Sequence, residues 1–128
     1  MVLKNMKYLN LLRKLAAKSD HEQHKMSCLI VKKNRIISSG YNQLKTSPKS
    51  PHRFKSTHAE FHALARLNLE ETKGCTVYVY RMDKNGILSN SKPCESCFLL
   101  LQKKKIKRII YTYENNWNEI NLNIPIDK

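Results

Sequence analysis

Acidic residues are scarce in this chain: ten Asp and Glu stand against 24 Lys and Arg in 128 residues, a formal net charge of +14. An AT-rich coding bias would raise Lys together with Asn, Ile and Tyr, and the chain holds 12 Asn, 10 Ile and 6 Tyr. Such a bias does not disfavour Asp or Glu codons, so it leaves the shortage of acid unexplained. A polyanionic partner, nucleotide or nucleic acid, accounts for both. Long apolar runs are missing too. None approaches the ~20 residues that span a bilayer, so no membrane partner is expected. The stretch Met1–Tyr8 opens into a helical pattern and lacks the apolar core and cleavage site of a secretory leader. Cysteine is limited to four residues. Cys94 and Cys97 sit at metal-ligand spacing, while Cys28 and Cys75 lie in apolar, strand-like runs and read as core thiols. A reducing, intracellular compartment is expected, cytoplasmic or nuclear. No repeat, linker or low-complexity tail divides the chain, so one domain over residues 1–128 is expected, large enough for a core without disulfides.

The periodicity supplies the elements. Met6, Leu9, Leu11 or Leu12, Leu15 and Ala16 follow the three-four spacing of an amphipathic helix over residues 4–18. Ser27–Lys32 and Arg35–Ser39 read as strands joined by a Lys33-Asn34 hairpin turn, with Gly40-Tyr41-Asn42 following the second strand. Residues 43–57 hold two prolines and many Lys and Ser, a loop long enough to be functional. Thr57 reads as the N-cap of a helix, with Glu60 completing a capping box. The helix carries Phe61, Leu64, Ala65 and Leu67 or Leu69 inward and ends before Gly74. Cys75–Tyr80 is a buried strand, Asp83–Gly86 a turn, and Ile87-Leu88 a short return. Pro93 starts a helix from Cys94 to about Lys104, with Phe98, Leu99 and Leu101 facing the core. Ile106–Tyr113 and the alternating Ile120, Leu122, Ile124 close the chain as strands. The order α-β-β-α-β-α-β-β predicts an α/β domain in layers around one mixed sheet.

Two short stretches carry the chemistry: His58-Ala59-Glu60 and Pro93-Cys94-Glu95-Ser96-Cys97. One His and two Cys make three zinc ligands, which leaves a tetrahedral ion one open position, where a metal activates water. The pattern H-x-E followed by P-C-x-x-C is the general mark of zinc deaminases of nucleobases. An isolated H-x-E is common by chance. Both motifs, each opening a helix and separated by a strand, form a strong signal. The competing reading is a structural zinc knuckle. Structural sites take four protein ligands, and no obvious fourth is present. His62, one turn from His58, is better read as a surface or core histidine, and His52 as a solvated side chain or a phosphate or ribose contact.

From Gly40-Tyr41-Asn42 through His58-Ala59-Glu60 to Pro93-Cys94-Glu95-Ser96-Cys97 and Leu101, the chain resembles the cytidine and deoxycytidylate deaminase superfamily, which also includes tRNA adenosine and polynucleotide cytidine deaminases. The resemblance implies a cytidine deaminase-like three-layer fold, a mixed five-stranded sheet flanked by helices. It implies one Zn2+ per chain on His58, Cys94 and Cys97. Glu60 would shuttle a proton from the attacking water to the ring nitrogen and the leaving amine. Asn42 matches the sugar-binding Asn, and the backbone around Ala59 and from Ser91 through Pro93 to Cys94 would hold the base edge. The Asp83–Gly86 turn is an insertion relative to the free-nucleotide and tRNA enzymes, close to the mouth of the site. A β-hairpin ending resembles the free-cytidine branch, and the loop between Asn42 and His58 lacks the second-zinc cluster of some deoxycytidylate deaminases. The expected substrate is a cytosine base in a nucleotide, a nucleoside or single-stranded nucleic acid. For the last, Lys45, Lys49, Arg53, Phe54 and Lys55 lie beside the site, Lys103, Lys104, Lys105, Lys107 and Arg108 form a second basic cluster, and Trp117 is a further stacking candidate. Adenine in tRNA is the alternative base. A silent, zinc-stabilised nucleic-acid-binding module is the alternative class. Members of the superfamily often assemble as dimers or tetramers, so a homo-oligomer is a further expectation.

Overall fold

The centre of the molecule is a sheet of five strands: His24–Lys32 (β1), Arg35–Tyr41 (β2), Thr76–Asp83 (β3), Arg108–Tyr113 (β4) and Asn116–Asn121 (β5). They lie side by side in the order β2-β1-β3-β4-β5. The computed structural model describes residues 6–19, 24–42, 59–65, 67–83, 85–113 and 116–122. All neighbouring strands are antiparallel except β3 and β4. That parallel pair needs a crossover, supplied by the helix Glu95–Lys103 (α4). The mixed five-stranded sheet of the expectation is therefore present, and its last strand pairs antiparallel as a hairpin.

The hairpin between β1 and β2 turns on Lys33 and Asn34, with φ of 49° and 65°. Positive φ at both central residues matches the right-handed twist of the flanking strands. Beyond the turn β2 continues through Gly40 and Tyr41, which the sequence reading had placed after the strand.

Strand alternation separates two cores. On one face Leu29, Val31, Tyr80, Ile110 and Trp117 pack against Tyr8, Leu12 and Ala16 of the helix Met6–Ala16 (α1). On the other face Cys28, Ile30, Val77, Val79 and Ile109 meet Ala59, Ala63 and Leu64 of the helix Ala59–Leu64 (α2), with Leu101 of α4. Helix, sheet and helices make three layers. Each fully buried Leu, Ile or Val side chain contributes about 1.5–3 kcal/mol, so the two faces dominate stability.

Three expectations change here. The helix carrying Glu60 does not run on to Leu69: α2 ends at Leu64, and a separate turn of helix, Leu69–Thr72 (α3), begins after Asn68. Asn68 is the reason. Its side chain accepts from the Glu71 N–H at 2.9 Å while Glu71 accepts from the Asn68 N–H at 2.9 Å, a complete capping box that starts a new helix. The proposed N-cap Thr57 lies outside the described residues. Leu99 does not face the core: it is 56% exposed, because two residues at about 100° each carry it to the side of α4 opposite Cys97. Trp117, a stacking candidate, is 8% exposed and belongs to the α1 core. Its ring serves packing. Among the described residues no helix is long and apolar enough to cross a membrane.

Candidate active site

The C-terminal ends of β2, β3 and β4 lie along one edge of the sheet, since β1 runs antiparallel to both β2 and β3 and β4 runs parallel to β3. Ligands of open α/β sheets bind at such an edge. Asn42 leaves the end of β2 there, and Cys94 enters α4 there.

Helix α2 is pressed against the sheet by the absence of a side chain. An added Cβ on Gly40 would lie 2.6 Å from the Ala59 carbonyl oxygen and 2.6 Å from the Ala63 nitrogen. Only glycine lets β2 approach the helix that closely. Beside it the Tyr41 N–H donates to Nδ1 of His62 at 3.0 Å, and the two rings meet edge-on with centroids 5.0 Å apart. His62 thus ties α2 to the strand. Expected as a surface or core histidine, it is half-buried and serves packing between the two elements.

Glu60 sits one residue into α2 and is 1% exposed. Among the described residues its Oε1 has no hydrogen-bond partner. Burial pushes the carboxyl up to about 7, its own backbone hydrogen bond pulling only partly back. Near it from the second motif is Cys97, in the first turn of α4, and beside Cys97 is Cys94, the N-cap of that helix. The backbone fixes their spacing: the Cys94 carbonyl accepts from the Phe98 N–H at 2.8 Å, so the helix begins between the two sulfurs. Cys94 is exposed and Cys97 fully buried. Burial raises the Cys97 thiol well above its usual range, and Glu60, Cys94 and Cys28 raise it further as neighbouring anions.

Groups that become anions therefore crowd one point and hinder one another's ionisation. A divalent cation is the partner that reverses each of those effects. Two thiols at a helix start, with a buried carboxyl oxygen lacking a partner, fit zinc and a water-handling acid beside it. Among the described residues no three His, Cys, Asp or Glu form a metal-binding group. The third expected ligand, His58, lies outside the described residues, as do Lys45, Lys49, Arg53, Phe54 and Lys55.

The other expected residues fall along the same edge. Ala59 is fully buried and Asn42 is 7% exposed. The Asn42 side-chain oxygen accepts from the Met26 N–H at 2.8 Å, and its own N–H donates to the Met26 carbonyl at 3.1 Å. Ser91 is fully buried, with both its hydroxyl and its amide engaged inside the protein. A base edge would accordingly meet the backbone of the Ser91–Cys94 segment, where Pro93 is buried, and not the Ser91 side chain. The second basic cluster lies elsewhere. Lys103 ends a nine-residue helix and Lys104, Lys105, Lys107 and Arg108 follow it, about 14 Å from the helix start. Lys104 bonds the Leu67 carbonyl at 3.0 Å and Arg108 lies 3.6 Å from Glu119. What the sequence reading missed is Thr112, fully buried at the end of β4 and bonded to Ser91. An alternating strand gave it no distinguishing signal.

Residues 3–113 match the family model of the cytidine and deoxycytidylate deaminase zinc-binding region, and the chain belongs to that family. A deoxycytidylate deaminase of Mycobacterium phage D29 is 26% identical over 129 residues, covering 84% of this chain and 93% of that protein. Two solved structures share the fold. The deoxycytidylate deaminase of cyanophage S-TIM5, in complex with dCMP and dUMP, has a TM-score of 0.53 at 18% identity, over 83% of this chain and 76% of that one. Acinetobacter baumannii RibD has a TM-score of 0.50 at 24% identity, over 83% of this chain. This chain spans 26% of the length of that RibD chain.

Proposed function

We propose that the chain is a zinc-dependent hydrolytic deaminase of cytosine in a free nucleotide, with deoxycytidylate as its substrate. The observation that carries the reading is the Glu60 carboxyl, buried beside Cys97 with one oxygen that has no partner among the described residues. A purely structural metal site has no use for such a group. The phage D29 relative, matched over 93% of its length, supports deoxycytidylate within the cytosine class.

His58, Cys94 and Cys97 would hold one zinc ion per chain. When bound in an open three-ligand site, zinc supplies the Lewis acidity that makes water a nucleophile near neutral pH. Glu60 accepts a proton from the attacking water, delivers it to the ring nitrogen, and carries the second to the leaving amine. Water adds at C4, the C4–N4 bond breaks, and the products are dUMP and ammonia. Burial raises the carboxyl above the ordinary carboxylate range and a nearby cation would pull it back down, opposing effects that suit a group which must both take up and release a proton. Asn42 and the backbone at Ala59 and Ser91–Cys94 orient sugar and base. The walls that bury Glu60 keep bulk water from competing for its proton.

Mass spectrometry of products from dCMP, deoxycytidine, a cytosine-containing single-stranded DNA and an unmodified tRNA tests the reading. dUMP that requires Glu60 is expected. Uracil in the oligonucleotide with none from dCMP would transfer the activity to polynucleotides and give the +14 charge its purpose. Inosine in tRNA would transfer it to adenine. No product from any substrate, with zinc bound and the fold intact, would leave a silent binding module.

A further inference from the structure

A closed knot of hydrogen bonds joins the ends of β3 and β4 to the segment that leads into Cys94. The Thr112 N–H donates to Oγ of Ser91 at 2.6 Å, and the Ser91 N–H donates to the Thr112 carbonyl at 2.8 Å. The Ser91 hydroxyl reaches the Val79 carbonyl at 2.8 Å. Oγ1 of Thr112 accepts from the Arg81 N–H at 3.2 Å and lies 2.7 Å from the Ser89 carbonyl and 2.8 Å from Oγ of Ser91. The neighbouring turn is held the same way: the Arg81 guanidinium donates to the Asn90 carbonyl at 3.1 Å, and the Asn90 side chain accepts from the Lys92 N–H at 2.9 Å.

Proton counting shows how tightly the knot is closed. Each hydroxyl has one proton to give. Ser91 gives its proton to Val79, and Thr112 gives its own to either Ser89 or Ser91, each within 2.8 Å. Ser91 and Thr112 are both fully excluded from solvent, so water cannot replace a lost partner. A buried donor or acceptor left alone loses its bond with nothing to replace it. Ser89, Asn90 and Ser91 are therefore each fixed to the sheet by at least one bond, and Lys92 is tied back to the Asn90 side chain. Pro93, whose ring fixes φ, carries that constraint on to Cys94.

We propose that Thr112, acting through Ser91, is a positioning residue that presets the Cys94 loop for metal binding, so that the sulfur is placed by the sheet before zinc arrives. This rests on the reading that Cys94 and Cys97 hold zinc. Groups that orient metal ligands from outside typically contribute 10- to 100-fold in metal affinity. Thr112 would do so at two residues' remove, through the backbone of the loop.

The full-length protein is loaded with zinc and titrated with a chromophoric zinc chelator, with far-UV circular dichroism recorded on each variant. Thr112→Val keeps the β-branched shape and loses the hydroxyl. It is expected to bind zinc about 10- to 100-fold more weakly while folded. Thr112→Ser, which keeps the hydroxyl, is expected to hold zinc as the wild type does. Should Thr112→Val be recovered unfolded, Ser91→Ala is read in its place with the same expectation. A folded variant with lowered melting temperature and wild-type zinc affinity would overturn the proposal. Wild-type protein that takes up no zinc defeats the site reading and the clamp together; wild-type zinc binding matched by Thr112→Val defeats the clamp alone.

Discussion

Leaving a buried polar atom without a partner costs on the order of 1–3 kcal/mol, and Glu60 holds an oxygen in that condition beneath fully buried neighbours. If that cost is retained for proton transfer, Glu60→Gln will keep shape, volume and zinc. Turnover of dCMP is expected to fall by at least about 10²-fold, the lower end of what a positioned acid–base group supplies. Zinc content by mass spectrometry should stay at the wild-type value. Equal activity would remove Glu60 from the mechanism. Cys75 makes a different point at the same scale. Its thiol donates to the Glu71 carbonyl at 3.2 Å, and burial holds its pKa above the ordinary value although Lys32 pulls it down. It serves the fold, not the site. The two motifs were legible because their chemistry is local in sequence. Thr112 was not, because a strand residue shows no sign of a partner 21 positions away.

Elements carry these residues into register, and their packing can be tested separately. Gly40 lets α2 lie on β2, so Gly40→Ala drives a methyl group into backbone that has no flexible side chain to move aside. Overpacking of this kind costs about 1–3 kcal/mol, and the displaced helix is the one that carries Glu60. Loss of stability in urea, with a larger relative loss of turnover, is expected. Asn68→Ala offers the contrast. It removes the capping box of α3, should cost about 0.5–2 kcal/mol, and should leave turnover unchanged because α3 contributes nothing to the site. The sequence reading drew α2 and α3 as one helix because Leu64, Leu67 and Leu69 keep a helical spacing across the break. Asn and Glu three apart signal a cap, but competed with that stronger periodicity. Leu99 was misassigned for a related reason: three apolar residues in a row, Leu99, Leu100 and Leu101, fit more than one helical face.

The molecule as a whole was the most legible level. Alternating strands, a two-residue turn and a crossover helix leave few arrangements, and the layered mixed sheet is the one observed. Strand order required pairings the sequence does not display, such as β1 between β2 and β3. Net charge acts at this scale too. It distinguishes no substrate by itself, and the one described basic cluster at the far end of α4 is partly engaged with Leu67 and Glu119. Stability should fall as pH rises past about 8.5, the point at which a thiol in the unfolded chain begins to ionise. The fold holds Cys75 and Tyr78 protonated, mainly by burial, so above that pH the unfolded chain binds fewer protons and unfolding gains. Urea midpoints between pH 8 and pH 11 would read this; a flat profile would contradict it.

The most direct measurement is dUMP formation from dCMP by protein stripped of metal with a chelator and then titrated with zinc, with circular dichroism recorded alongside. The account predicts no turnover from the stripped chain, a retained sheet signal because both cores lie on faces built without metal, and activity that rises to a plateau at one zinc per chain. Full activity in the stripped protein, or none from folded protein carrying one zinc, would contradict it.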